Sequence, residues 1–139
     1  MMTPTRLHHP HEPDEPDHSL RAVEYAADTY AALRAFNHAT LGGPPLPAPT
    51  AYAVLGSLAP AGQALHQGLH QLAAALEASA HVYQLYEDDG TNPAMSLARA
   101  HTRLTAAATH ARRIAELLDE TQAVIAGQGY HHHDPGDPA

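Results

Sequence analysis

From Leu55 to Tyr86 the apolar and small residues fall at alternating steps of three and four: Leu55, Leu58, Gly62, Leu65, Leu69, Leu72, Leu76, Ser79, Tyr83 and Tyr86. A second run, Leu97, Ala100, Leu104, Ala107, Ala111, Ile114, Leu118, Thr121 and Ile125, repeats the spacing. This alternation holds one stripe of a helix against a partner helix and cannot be laid on a strand, whose side chains change face at every residue. EDDGTNP, residues 87–93, separates the two runs and carries stop and start signals. Gly90 suits a left-handed cap, Asn92 the next N-cap and Pro93 the first helical position. Two long helices joined by so short a turn fold back into an antiparallel hairpin. Alanine takes many seam positions of the second run, which predicts a close approach of the two backbones.

Boundaries follow from proline and glycine. Pro60 predicts a break, with a short helix over 51–59 capped by Thr50 and a long one from 61 to about 86. The third long helix should cover 93–126. Upstream, Val23, Ala26, Ala27, Tyr30 and Leu33 form the apolar face of a helix from Ser19 to about Ala39, capped by Asp17 or Ser19 and stopped at Gly42-Gly43. LGGPPLPAPT, residues 41–50, reads as a stiff, proline-rich linker. Residues 1–18 and 127–139 are dense in Pro, His, Asp and Gly and read as disordered tails around a 19–126 helical bundle domain. The fold expected is all-α: an antiparallel long helical hairpin plus an N-terminal helix, three-helix-bundle-like. Val54, Ala73, Ala80 and Val82 flank the first seam, and Ala98, Ala108, Ala115, Leu117 and Val124 the second. That surplus predicts a homodimer or a protein partner bound through apolar helix faces.

Charge narrows the function classes. The formal charge is −8, the seven basic residues are all Arg, and there is no Cys. An acidic chain is a poor partner for nucleic acid, which is held by clustered cations. Disulfide and thiolate chemistry are excluded. The N-terminus lacks the apolar core of a signal peptide, and no run approaches the roughly 18 apolar residues of a membrane span, so a cytoplasmic protein with no membrane contact is the expectation. Thirteen histidines make the charge pH-dependent, because an ordinary imidazole titrates near ~6.5.

The candidate metal ligands are His66 and His70 in QALHQGLHQL. Residues four apart share a helix face, and two imidazoles so placed can hold zinc. Position 67 is Gln, where the zinc-protease pattern has Glu, and further ligands would be required. With Leu65 and Leu69 on the seam, both histidines should sit beside it, toward solvent. HHPH (8–11) and HHHD (131–134) can bind transition metals whatever their purpose. Arg99, Arg103, His110 and Arg113 form a basic stripe on the third helix, with Arg112 and Glu116 spaced to pair. EDDG lacks the rest of a calcium loop. Tyr83 and Tyr86 should bury their rings at the end of the bundle. No phosphate loop, nucleophile elbow or buried carboxylate pair is legible, so no enzyme activity and no cofactor are expected.

LRAVEYAADTYAALRAFNHAT, AYAVLGSLAPAGQALHQGLHQL and YEDDGTNPAMSLARAHTRL together resemble a group of small helical proteins of actinobacteria, found in Streptomyces-type genomes near mobile elements. The resemblance spans roughly residues 20–126 and is most specific at Leu20–Thr40 and Tyr52–Gly56. It implies a soluble helical bundle and carries no catalytic residue. The hairpin is also similar in outline to WXG100 secretion substrates, whose Trp-x-Gly turn this Trp-free chain lacks. The expected function is a non-catalytic helical interaction or adaptor protein. The alternatives are a metal- or pH-responsive protein using His66, His70, His81, His101 and His110, and a WXG100-like secreted hairpin.

Overall fold

The computed structural model describes residues 18–132. The sequence motifs at 8–11 and 133–134, and most of both expected tails, lie outside them. Among the described residues there are three helices and no strand: α1 (His18–Thr40), α2 (Ala48–Val82) and α3 (Pro93–Ile125). The all-α fold, with a long helical hairpin and an N-terminal helix, is as expected. The chain divides into two units, Met1–Pro45 and Leu46–Ala139, described in turn.

In the first unit α1 ends where the sequence places its stop. Leu41 N–H donates to Asn37 O at 3.0 Å, and Gly42 then takes φ +65°, a left-handed conformation that only glycine adopts without strain. Arg34 lies over the Tyr30 ring at 5.7 Å. Val23, Tyr30 and Leu33 are exposed.

In the second unit α2 and α3 pack against each other. Their pairing runs antiparallel: Gly56 lies beside Gln122, Gly62 against Ala115, and Glu77 beside His101. The turn between them follows its sequence signals. Gly90 takes φ +75°, and Asn92 Oδ1 accepts the Ala94 N–H at 3.0 Å. Asp89 Oδ1 accepts both the N–H and the hydroxyl of Thr91, and the backbone donor above all holds its carboxyl below the ordinary Asp range. Asn92→Ala should therefore cost about 1 kcal/mol, read as a lower denaturant midpoint with the helix content of the folded state unchanged.

Two boundaries differ from expectation. α2 does not break at Pro60 but runs unbroken from Ala48, with Pro47 rather than Thr50 at its N-cap. Pro60 forgoes one backbone hydrogen bond, and tertiary contact compensates: Ala59 is buried, and Gly62, one half-turn on, rests on the Ala115 backbone. At its other end α2 stops at Val82. Tyr83 is the C-cap in an extended conformation, its N–H bonded to Ser79 O. Tyr83 and Tyr86 are thus exposed, and Leu85 is the residue that lies over the hairpin end beside Leu76 and Leu97.

The seam keeps the expected period but takes a different phase. Leu55, Leu58, Gly62, Leu69, Leu76 and Ser79 are half-buried as anticipated, and so are Leu97, Ala100, Leu104, Leu118 and Ile125. Leu65, Leu72 and Ile114, however, are 51%, 54% and 53% exposed, while His66, Ala73 and Ala115, each one residue on, turn inward. Ala107 likewise yields to Ala108. The buried core is Ala59, Ala73, Ala108, Ala111 and Ala115, and no larger side chain among the described residues is buried. Small residues win because of how close the backbones come. A methyl group on Gly62 would lie 3.0 Å from Ala115 Cβ and 3.2 Å from its Cα. At that separation a leucine on the axis of contact has no space.

Candidate functional site at the seam and its flanking face

His66 is part of the seam, not beside it. Its Nδ1 lies 2.7 Å from Ala108 O on α3. A carbonyl oxygen only accepts, so Nδ1 carries the proton and Nε2 is left as the second functional nitrogen. Orientation of an imidazole by a backbone carbonyl in this way also occurs behind metal-bound histidines. His70 stands beside it on α2, edge to face, with ring centroids 4.7 Å apart and planes at 86°. Among the described residues no group of three or more His, Cys, Asp or Glu is placed to hold a metal ion. In this geometry His66 ties α2 to α3, and His70 packs on its ring. His66→Ala removes the bond and half-buried ring contacts, and should destabilise the fold by about 1 to 2 kcal/mol in equilibrium unfolding. His70→Ala, exposed, should cost less than about 0.5 kcal/mol.

The other histidines are scattered. His101 Nδ1 lies 3.5 Å from Glu77 Oε2 on an exposed flank, an ion pair only when the ring is protonated. His81 joins them in lining a groove of about 420 Å³. The basic stripe is interrupted by acids: Arg113 donates to Glu116 at 3.3 Å and Glu120 at 3.2 Å, and these bonds raise its already high pKa. Arg112 pairs with Glu116 at 3.6 Å, as its spacing predicts.

The hairpin has a second, exposed apolar face; sequence reading anticipated such a surplus but placed Leu65, Leu72 and Ile114 in the seam, and Ala73, Ala108 and Ala115, which are buried, on its flanks. On α2 the row Leu58, Leu65, Leu72, Ser79 lies to one side of the seam, and Gln63, His70, Glu77 to the other. On α3 the corresponding rows are Ala100, Ala107, Ile114, Thr121 and Ala98, Thr105, Arg112, Asp119. Two grooves show how these rows pair in space. Ser79 and Ala100 line one together, and Glu77 and Ala98 line the other. The leucine row of α2 and the Ile114 row of α3 therefore share a face, and the charged rows share the opposite one. One step further out, α2 adds Ala61, Gly68, Ala75 and Val82, and α3 adds Arg103, His110, Leu117 and Val124. Leu65, Leu72, Val82, Ile114, Leu117 and Val124 are all exposed here, by 45% to 78%. Arg103 and His110 are the face's only cationic or titratable side chains. The signal was present in the sequence as a seven-residue repeat of Leu58, Leu65 and Leu72, but it reads equally as the inner seam.

Among the described residues no helix is long and apolar enough to cross a membrane. No protein-family model, curated protein or solved structure matches this chain.

Proposed function

We propose that this chain is a non-catalytic helical interaction module that engages a protein surface through the Leu65–Leu72–Ile114 face. The observation that carries this reading is the pattern of burial in the hairpin: the fully buried residues are all alanines, and Leu65, Leu72 and Ile114 stand exposed in a row beside the seam. Full burial of a leucine or isoleucine contributes about 1.5 to 3 kcal/mol, so such a row favours a partner strongly. The opposite face, with Glu77, Arg112 and Asp119, has the composition of an ordinary solvated surface. A photo-crosslinking residue in place of Leu65 should yield protein adducts in the native host, and one in place of Gln63 should not. No adduct at position 65, with the protein folded, would overturn the reading.

A further inference from the structure

We infer that the occupant of this face is a second copy of the chain, its α2 lying antiparallel on the first through Leu58, Ala61, Leu65, Gly68, Leu72 and Ala75. This rests on the interaction reading above and specifies its partner. These six residues alternate large and small at heptad spacing. An antiparallel copy centred between residues 66 and 67 sets Leu65 opposite Gly68 of the second copy, Leu58 opposite Ala75, and Leu72 opposite Ala61. Each leucine then meets a small residue, and the same row supplies both the projections and the recesses. Such self-complementarity is what a two-fold interface requires. It also repeats the way α2 packs on α3, where small residues admit a close approach.

Gly68 supports the assignment independently. It sits in mid-helix, where glycine costs about 1 kcal/mol relative to alanine. Gly62 has a reason within the chain, since Ala115 occupies the space a side chain would need, but a methyl group on Gly68 would meet nothing within 4 Å. A neighbour from a second copy supplies the missing reason. Size agrees as well. Two helices side by side, paired over some 30 residues, offer a face about 45 Å by 20 Å, on the order of 900 Å², and a stable dimer buries about 800 Å² per copy. A lipid surface fits less well, because interfacial helices rim their apolar face with many free cations; here α2 carries no Arg or Lys, and of the α3 rim Arg99, Arg103 and Arg113 the last is already paired with Glu116 and Glu120.

The test uses the full chain. Sedimentation equilibrium at 25 °C should give a dimer at micromolar concentration. Gly68→Leu should weaken it at least a hundredfold while leaving helical circular dichroism intact, and Gln63→Leu on the other face should leave it unchanged. In a monomer Gly68→Leu would instead only stabilise the helix. The chain has no cysteine, so single-cysteine variants report distances cleanly. Nitroxide labels at position 64, exposed beside the interface and not in it, should lie within about 25 Å of each other across the dimer, and labels at position 78, on the same row two heptads on, about 35 Å or more apart, from twice their axial distance to the centre. Equal short distances at both sites would mean a parallel pair and overturn the arrangement. A monomer, or a dimer indifferent to Gly68→Leu, would overturn the second copy as occupant. The crosslink at position 65 keeps the two readings apart: an adduct of twice the chain mass supports this one, and an adduct of another mass overturns it while leaving the interaction module standing.

Discussion

Ala115→Leu should cost about 3 kcal/mol or more and separate α2 from α3 over the middle of the hairpin. Ala115 is fully buried, and its Cα, Cβ and N already lie 3.0 to 3.3 Å from where a Gly62 side chain would begin. Leucine adds three carbons at a point with no recess on the facing helix. Overpacking of this kind commonly costs about 1 to 3 kcal/mol when neighbours can shift. Here the neighbour is helix backbone, so accommodation means moving the helices apart, which withdraws Ala59, Ala108 and Ala111 from contact and lengthens the His66 to Ala108 bond. The exposed control, Ala106→Leu, should change stability by less than about 0.5 kcal/mol. Both are to be compared with the unaltered protein by urea unfolding at one fixed concentration, because association would shift the midpoint. A wild-type midpoint for Ala115→Leu would mean that the two helices do not meet through alanine.

The contrast between Ala115 and its neighbour Ile114 shows what can be read from this sequence. Helix, turn and antiparallel return are local properties. Asn92-Pro93 starts α3, Gly90 closes the turn, and the three-four alternation sets the period, so these were legible. The phase of the alternation is not local. Leu65 and His66 are adjacent, as are Leu72 and Ala73, and either member of each pair preserves the heptad. Hydrophobicity favours the leucines inward. The distance between two backbones decides for the small residues, and that distance depends on both helices at once. A reading that matched Ala59, Gly62 and Ala73 against Ala108, Ala111 and Ala115 would have found the phase. The His66 bond was beyond reach in any case, because its partner is a backbone carbonyl 42 residues away and carries no signature of its own.

Pro60→Ala should move stability in the opposite direction, raising it by about 2 kcal/mol. Proline within a helix lacks the N–H that would bond the carbonyl four residues back, here that of Gly56, and its ring crowds that carbonyl, together worth about 3 kcal/mol relative to alanine. Alanine also frees the unfolded chain, returning about 0.4 to 1 kcal/mol of the gain. The substitution disturbs little else. Pro60 is exposed, and the residues that join this part of α2 to α3 are its neighbours: Ala59 in the core, Gly62 on Ala115, and Tyr52 O accepting the Gln122 side-chain N–H at 2.9 Å. These contacts on both sides of the proline explain why a helix expected to break at residue 60 runs through it. The measurement is again a urea midpoint at fixed concentration, with Ala64→Pro as the converse. Position 64 is exposed and one turn further on, and a second proline there should lose about 3 kcal/mol. If Pro60→Ala instead lowers stability, the local backbone geometry that proline imposes is itself needed to bring Ala59 and Gly62 onto α3 together, and the close alanine seam depends on it.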